Sequence, residues 1–466
     1  MPTPRARPPT DLLLPALHRD GGGLGRQLEV AVRDAIRTGR LREGERLPPS
    51  RTLARDLRVS RNVVLEAYAQ LVAEGYLEAR TRAGTHVRAG AVQPAQPVGQ
   101  TGAERWRYDL RPGVPDVGRF PRSEWARALA RAARSVPLSD LEYGDPSGVE
   151  ALRAALAVHL RRARGVIVEP ERIVVCSGVA QALRLANAFL VEQGVTVLAA
   201  EDPSHPEPRA FAEADGLRVT AVPVDEGGVD TAAVDASGAG AVHLTPAHQF
   251  PLGVVLAPDR RAELAAWAQD RGGWILEDDY DAEFRYDREP VGAVQGLAPE
   301  RTIYAGSVSK TLAPGLRLGW LVAPPDAARR LAALKRSSDL GSPAIDQWAL
   351  AGLLESGVYE RHVRRLRLRY RRRRDALVEA VARHLPDARL RGVAAGVHAV
   401  LELPRGAEEG RVTEAAGRRS LRLLPLGLYV VDRPRAPAVV LGYGRVHESA
   451  IDDAIRSLAA AVRSSG

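Results

Sequence analysis

At 466 residues the chain exceeds one ordinary domain and suggests two or three, the largest with an extensive core. Apolar residues make up 45% of it, yet no apolar run reaches the roughly 18 residues of a membrane span; Leu183 to Ala200, for example, is broken by Arg184, Glu192 and Gln193. The single cysteine, Cys176, excludes an internal disulfide and a cysteine-rich zinc site, so no metal is expected, and the net charge of +9 favours an anionic partner.

That charge is concentrated early, where residues 1–90 hold 16 arginines against 10 carboxylates. The apolar segment Leu12 to Leu14 behind Arg5 and Arg7 is too short for a signal peptide, so the expected location is cytoplasmic. Leu28, Val32, Ala35 and Ile36 recur at helical spacing within Leu24 to Thr38, and Gly39 supplies a stop. Ser50 opens a second short helix, and after a break at Arg58-Val59, Ser60 caps a longer one running to about Glu74. Two helices joined by a tight turn make helix-turn-helix geometry. Tyr76 to Arg80 reads as a strand, Arg82 to Thr85 as a turn and His86 to Arg88 as a second strand, which together form a wing.

Residues 89–107 are rich in Gly, Pro, Gln and Ala without periodicity and read as a flexible tether. Beyond them, β-rich runs alternate with helical stretches: 172–175, 195–199, 219–222, 241–244, 274–277, 302–305 and 319–322. This alternation predicts an α/β domain with a mainly parallel sheet over 108–466, its part from about 343 forming a smaller α+β subdomain with a long arginine-rich helix at 357–384.

The run Leu47 to Val64 followed by Ala67 to Leu77 (LPPSRTLARDLRVSRNVV…AYAQLVAEGYL) resembles the winged helix of GntR-type regulators, over residues 24–88. Ser60, Arg61 and Asn62 stand at the N-terminal end of the helix that such modules place in the major groove, where arginine grips guanine or phosphate and asparagine reads a base edge. By the same resemblance Arg51, Gly84 and Thr85 are expected backbone contacts, and Val63, Val64, Ala67, Tyr68 and Leu71 core.

Only two of the 66 basic residues are lysines, Lys310 and Lys335, which leaves two candidates for any lysine-dependent chemistry. Tyr304 to Trp320 (YAGSVSKTLAPGLRLGW) resembles the lysine segment of fold-type I aminotransferases, which hold pyridoxal 5′-phosphate (PLP) as a Schiff base; this implies Lys310 as the attachment point. Ser307, Ser309 and Arg317 are near enough in sequence to reach the phosphate. Upstream, Trp274 to Arg285 ends a β-run in carboxylates; the resemblance assigns Asp278 to the ring nitrogen and Tyr280 to the ring hydroxyl, while Asp279 and Asp281 read simply as solvated or capping carboxylates. The strand-to-helix turn at Cys176 to Leu183 offers backbone amides near Gly178, Val179 and Ala180 to a phosphate.

Leu141 to Gly148 also follows the aminotransferase pattern, in which the tyrosine matching Tyr143 reaches the neighbouring subunit's phosphate, so a homodimer is implied. In Thr245 to Gly253, Phe250 stands where aminotransferases carry asparagine, and His248 has two readings, cofactor contact or bonding within the loop. His205 stands in the place of the aromatic that stacks on the ring. Valines within Ala436 to Arg445 occupy the place of the substrate-carboxylate arginine, leaving Arg433, Arg435 and Arg445 as undecided candidates. The run Arg361 to Arg374 reads as a solvated or dimer-facing helix, with a second nucleic-acid patch as the alternative.

Winged helix, tether and aminotransferase-like domain in this order resemble the MocR subfamily of GntR-type regulators. The resemblance implies a head-to-tail homodimer binding double-stranded operator DNA, in which PLP, or its Schiff base with an amino compound as effector, alters DNA binding. The alternative is a working PLP-dependent aminotransferase with a fused DNA-binding domain.

Overall fold

The computed structural model describes residues 23–80, 83–88, 106–286 and 291–465. The chain divides into two compact units, Met1–Glu104 and Arg105–Gly466. The expected tether lies outside the described residues except for Trp106 and Arg107, as does Arg82 of the wing turn.

In the first unit, α1 (Leu24–Arg37) buries Leu28, Val32, Ala35 and Ile36, the stripe its periodicity requires. α2 (Ser50–Asp56) and α3 (Arg61–Ala73) follow, with Arg58 in the left-handed region at φ 53° making the turn between them. The Ser60 hydroxyl accepts the Val63 amide at 3.4 Å and so caps α3. β1 (Leu77–Arg80) and β2 (Gly84–Val87) pair antiparallel, Leu77 opposite Val87. Gly84 and Thr85, expected in the turn, belong to β2. Leu28, Ile36, Leu53, Val64, Leu71, Leu77 and Val87 join in one core, so all five elements depend on one another.

The second unit opens with a short strand, β3 (Tyr108–Asp109). Its main sheet comprises β4 (Ile173–Cys176), β5 (Val197–Asp202), β6 (Arg218–Asp225), β7 (Gly228–Val229), β8 (Ala241–Leu244), β9 (Trp274–Asp279), β10 (Thr302–Ser307) and β11 (Gly319–Val322). The order is β4-β11-β10-β9-β8-β5-β6-β7. The run β10-β9-β8-β5-β6 is parallel, whereas β11 lies antiparallel between β10 and β4. Successive residues of the buried strands serve opposite faces: Leu276 packs towards helices Val179–Glu192 and Pro325–Asp339, and Ile275 towards helix Pro258–Asp270.

A smaller antiparallel sheet of β12 (Arg389–Arg391), β13 (His398–Glu402), β15 (Leu424–Pro425) and β16 (Ala438–Gly442) is ordered β12-β13-β16-β15, with β14 (Leu421–Arg422) beside β3. Thus Tyr108–Asp109, at the start of the unit, is built into its C-terminal part. The arginine-rich helix Val358–His384 buries Val363, Leu366, Tyr370 and Leu377, while Arg364, Arg365, Arg371 and Arg372 face outward. Arg373 departs from the solvated reading: it is buried and donates to the Gly444 carbonyl and to Asp116.

Candidate cofactor site and nucleic-acid interface

A cavity of about 480 Å3 opens at the C-terminal ends of the parallel strands. Lys310, Asp278, Tyr280, Ser307, Ser309 and Arg317 line it, although they lie up to 39 residues apart in sequence. Register explains part of this convergence. Asp278 on β9 sits opposite Ala305 on β10, so both strands deliver their last residues to the same rim.

Lys310 Nζ donates to the Gly113 carbonyl at 2.6 Å. Burial lowers its pKa below the ordinary lysine value, opposed by the charges of Asp281, Asp278 and Glu207. Asp278 faces the cavity, yet its Oδ1 is shielded from solvent and has no hydrogen-bond partner among the described residues. Burial and then the neighbouring Asp279 raise its carboxyl to about 7, with Lys310 acting in the opposite sense. Lys335, the other lysine, is buried elsewhere against Asp339 at 2.6 Å, which leaves Lys310 as the lysine of the cavity.

Gly178 precedes helix Val179–Glu192 at φ 82°, and a Cβ there would lie 2.9 Å from the Arg317 guanidinium. Arg317, itself left-handed at φ 52°, donates to the Ser177 carbonyl at 2.7 Å. A guanidinium is thereby held over the N-terminus of the helix, where Val179 and Ala180 line the cavity.

His205 also lines the cavity; its Nδ1 accepts the Glu207 amide at 3.3 Å, and burial lowers its pKa. His248 does not line it. The ring is buried behind Tyr280, with Nδ1 3.1 Å from each Asp281 oxygen and from the Tyr280 hydroxyl. Of its two readings, the ring meets neither: it is away from the cavity lining, and its partners stand at the end of β9 and not within its own loop. Tyr143 is 77% exposed and outside the cavity lining.

The expectation that Asp279 and Asp281 are solvated fails. Asp279 accepts from buried Arg164 at 2.6 Å and from the Tyr304 hydroxyl at 2.7 Å, and Asp281 is buried against His248. Each of these carboxylates thus has a charged or polar partner, as a buried ionisable group requires. Among the undecided arginines, Arg433 is exposed, Arg435 donates to the Asp202 and Val224 carbonyls and Arg445 pairs with Asp109. None lines the cavity, whereas Arg111, which the sequence did not single out, does, with Asp109 at 2.7 Å. Glu201 and His243 were equally silent; burial raises the Glu201 carboxyl to about 7 and lowers His243 to about 4.

In the first unit Arg51, Ser60, Arg61, Asn62 and Gly84 are exposed and Thr85 half-buried. Arg61 Nε reaches Ser50 Oγ at 3.4 Å, joining the first residues of α2 and α3. The Arg46 guanidinium lies against Gly84, where a Cβ would meet it at 3.0 Å. It adds to the wing a cation that only the fold reveals.

The two units match two family models: bacterial regulatory proteins, gntR family, over residues 24–87, and aminotransferase class I and II over residues 111–433. Over 459 residues the chain is 32% identical to the probable rhizopine catabolism regulatory protein MocR of Rhizobium meliloti, covering 94% of this chain and 93% of that protein. The chain belongs to the MocR subfamily of GntR-type transcription regulators. A second relative, the HTH-type pyridoxine biosynthesis transcriptional regulator PdxR of Corynebacterium glutamicum, is 35% identical over 433 residues, 91% of this chain and 93% of that one. The aminotransferase-like part of this MocR-type chain superposes on LysN, the α-aminoadipate aminotransferase of Thermus thermophilus solved with N-(5′-phosphopyridoxyl)-L-leucine. The TM-score is 0.69 at 26% identity, over 76% of this chain and 92% of LysN. The cofactor of the MocR-type domain is PLP, and its winged helix binds DNA.

Proposed function

We propose that this MocR-type regulator holds PLP in the Lys310 cavity and acts as a homodimer in the cytoplasm. PLP, an amino compound, or both then set its affinity for an operator in double-stranded DNA. The observation that carries the reading is the pairing, in one cavity, of a half-buried lysine amine with a buried carboxylate oxygen that has no partner among the described residues.

The donor set fits the cofactor. When bound, PLP supplies an aldehyde open to amines and a ring that withdraws electrons. Burial raises the neutral fraction of the Lys310 amine, the form that attacks a carbonyl. Asp278 Oδ1 supplies the acceptor that keeps a proton on the ring nitrogen, and Tyr280 orients the ring hydroxyl. Ser307, Ser309, Arg317 and the amides of Val179 and Ala180 supply donors to the phosphate, and a side chain at Gly178 would press on the Arg317 guanidinium. His205 supplies a stacking face.

Dimerisation is supported by an exposed apolar group: Leu138 at 80%, Leu141 at 53% and Tyr143 at 77% exposure. Among the described residues no helix is long and apolar enough to cross a membrane. In the proposed switch, ligand binding shifts the population between two arrangements of the protein that differ in DNA affinity. Equal operator affinity and footprint with and without PLP and amines would refute it.

The same cofactor constellation also favours a second reading, transamination. Multiple turnover of amine and keto acid by the purified protein would establish that reading. β16, with Val439, Val440 and Leu441 all buried, offers no arginine for a substrate carboxylate, which favours sensing.

A further inference from the structure

The outward face of α3 is polar and charged with one large exception. Arg61, Asn62, Glu66 and Gln70 are exposed with Leu65 and the small Ala69, while Val64, Ala67, Tyr68 and Leu71 fill the core. Leu65 keeps 42% of its surface in solvent. It follows Arg61 by four residues and Asn62 by three, so helical spacing puts all three on one stripe. An isolated exposed leucine is ordinary on a protein surface. Leu65, however, lines a concave space of about 520 Å3 between α3 and the wing, together with Ala69, Ser50, Arg46, Gly84 and Thr85. Cations border this space: Arg46 lies against Gly84, and Arg61 reaches Ser50.

We infer that Leu65 reads a base, packing its side chain on the C5-methyl of a thymine in the major groove, beside the bases met by Arg61 and Asn62. The inference rests on the DNA-binding reading of this module. The thymine methyl is the one apolar group that projects from a base into the major groove; the other bases present donors and acceptors there with no more than a C–H between them. A leucine pressed on those groups strips their water and returns no hydrogen bond, so the same side chain selects thymine and rejects the alternatives. Ala69, one turn further on, has no bulk to hold the helix away from the groove.

The test uses the full-length protein loaded with PLP and a duplex selected from a randomised pool. Each thymine of the selected duplex is replaced in turn by deoxyuridine, which deletes only the methyl. At one thymine the replacement is expected to weaken binding by the unaltered protein about fourfold, the equivalent of one buried methyl group. Leu65→Ala is expected to bind the thymine and uracil duplexes equally at that position, and to keep the same methyl dependence as the unaltered protein elsewhere. Because Leu65 is outside the core, a second variant, Leu65→Gln, folds alike and is expected to shift the selected base from thymine to adenine. If no methyl effect depends on Leu65 while the duplex is still bound, the inference is wrong and the DNA-binding reading stands. If no duplex is selected at all, the DNA-binding reading falls and the inference with it.

Discussion

Replacing Asp278 by asparagine is expected to stabilise the cofactor-free protein and to weaken its hold on PLP. The Asp278 carboxyl ionises at about 7 in the fold and near 3.8 in the unfolded chain. Between those values the folded state binds a proton that the unfolded state has released. Stability therefore falls as pH rises through this window, and the penalty is complete above about pH 7. At ~1.4 kcal/mol per pH unit the gap amounts to about 4 kcal/mol, and water in the cavity brings the expected gain for Asp278→Asn to about 2–4 kcal/mol at pH 8. The gain is expected to shrink to about 1–2 kcal/mol at pH 5 and to vanish near pH 3.5, where both states carry the proton. Urea unfolding followed by tryptophan fluorescence measures this cleanly, since all six tryptophans lie between Trp106 and Trp348 and none reports on the winged helix. With PLP added the order reverses, because an amide does not keep the ring nitrogen protonated; PLP affinity is expected to fall at least ~10-fold. Destabilisation at pH 8, or a gain independent of pH, would refute the reasoning.

Gly178→Ala sets a Cβ 2.9 Å from Arg317 in a backbone conformation unfavourable to alanine, and is expected to lower PLP affinity at least ~10-fold in a spectral titration. Asp279→Ala strands the Arg164 guanidinium, whose side chain is 2% exposed, and is expected to cost about 3–5 kcal/mol in urea unfolding. An unchanged midpoint would show that water reaches the pair. Arg61→Ala is expected to cost about 1–3 kcal/mol in operator binding and to relax specificity at one base, whereas Arg51→Ala should weaken all sequences alike and lower the salt dependence by about one ion. His159 is raised to about 9 by Glu283 and Glu360 against the opposing effect of burial. Its pairing thus stabilises fully below about pH 6.5 and is lost as pH rises through about 9, so His159→Gln should be destabilising at pH 6 and nearly neutral at pH 10.

Much of this was legible in one dimension because local physics dictated it. The stripe of Leu28, Val32 and Ile36, the Ser60 cap and the β-rich runs at 172–175, 241–244 and 274–277 follow from spacing and residue type alone. Lys310, Asp278, Tyr280 and Arg317 were legible because each lies in a run long enough to be distinctive. The antiparallel insertion of β11 was not, since an apolar run of four carries no sign of its direction. Nor was the joining of Tyr108–Asp109 to β14, a pairing across more than 300 residues.

The sequence by itself determined which groups this regulator has available: a rare lysine, a phosphate turn, an acidic strand end and a basic recognition helix. Only the tertiary structure decided which of them face the same space. It set His248 behind Tyr280, buried Asp279 on Arg164, brought Arg111 to the cavity and left Leu65 in the open. The reason is that side-chain direction and burial follow from packing between elements distant in the chain, and residue spacing along one element carries no information about what lies opposite.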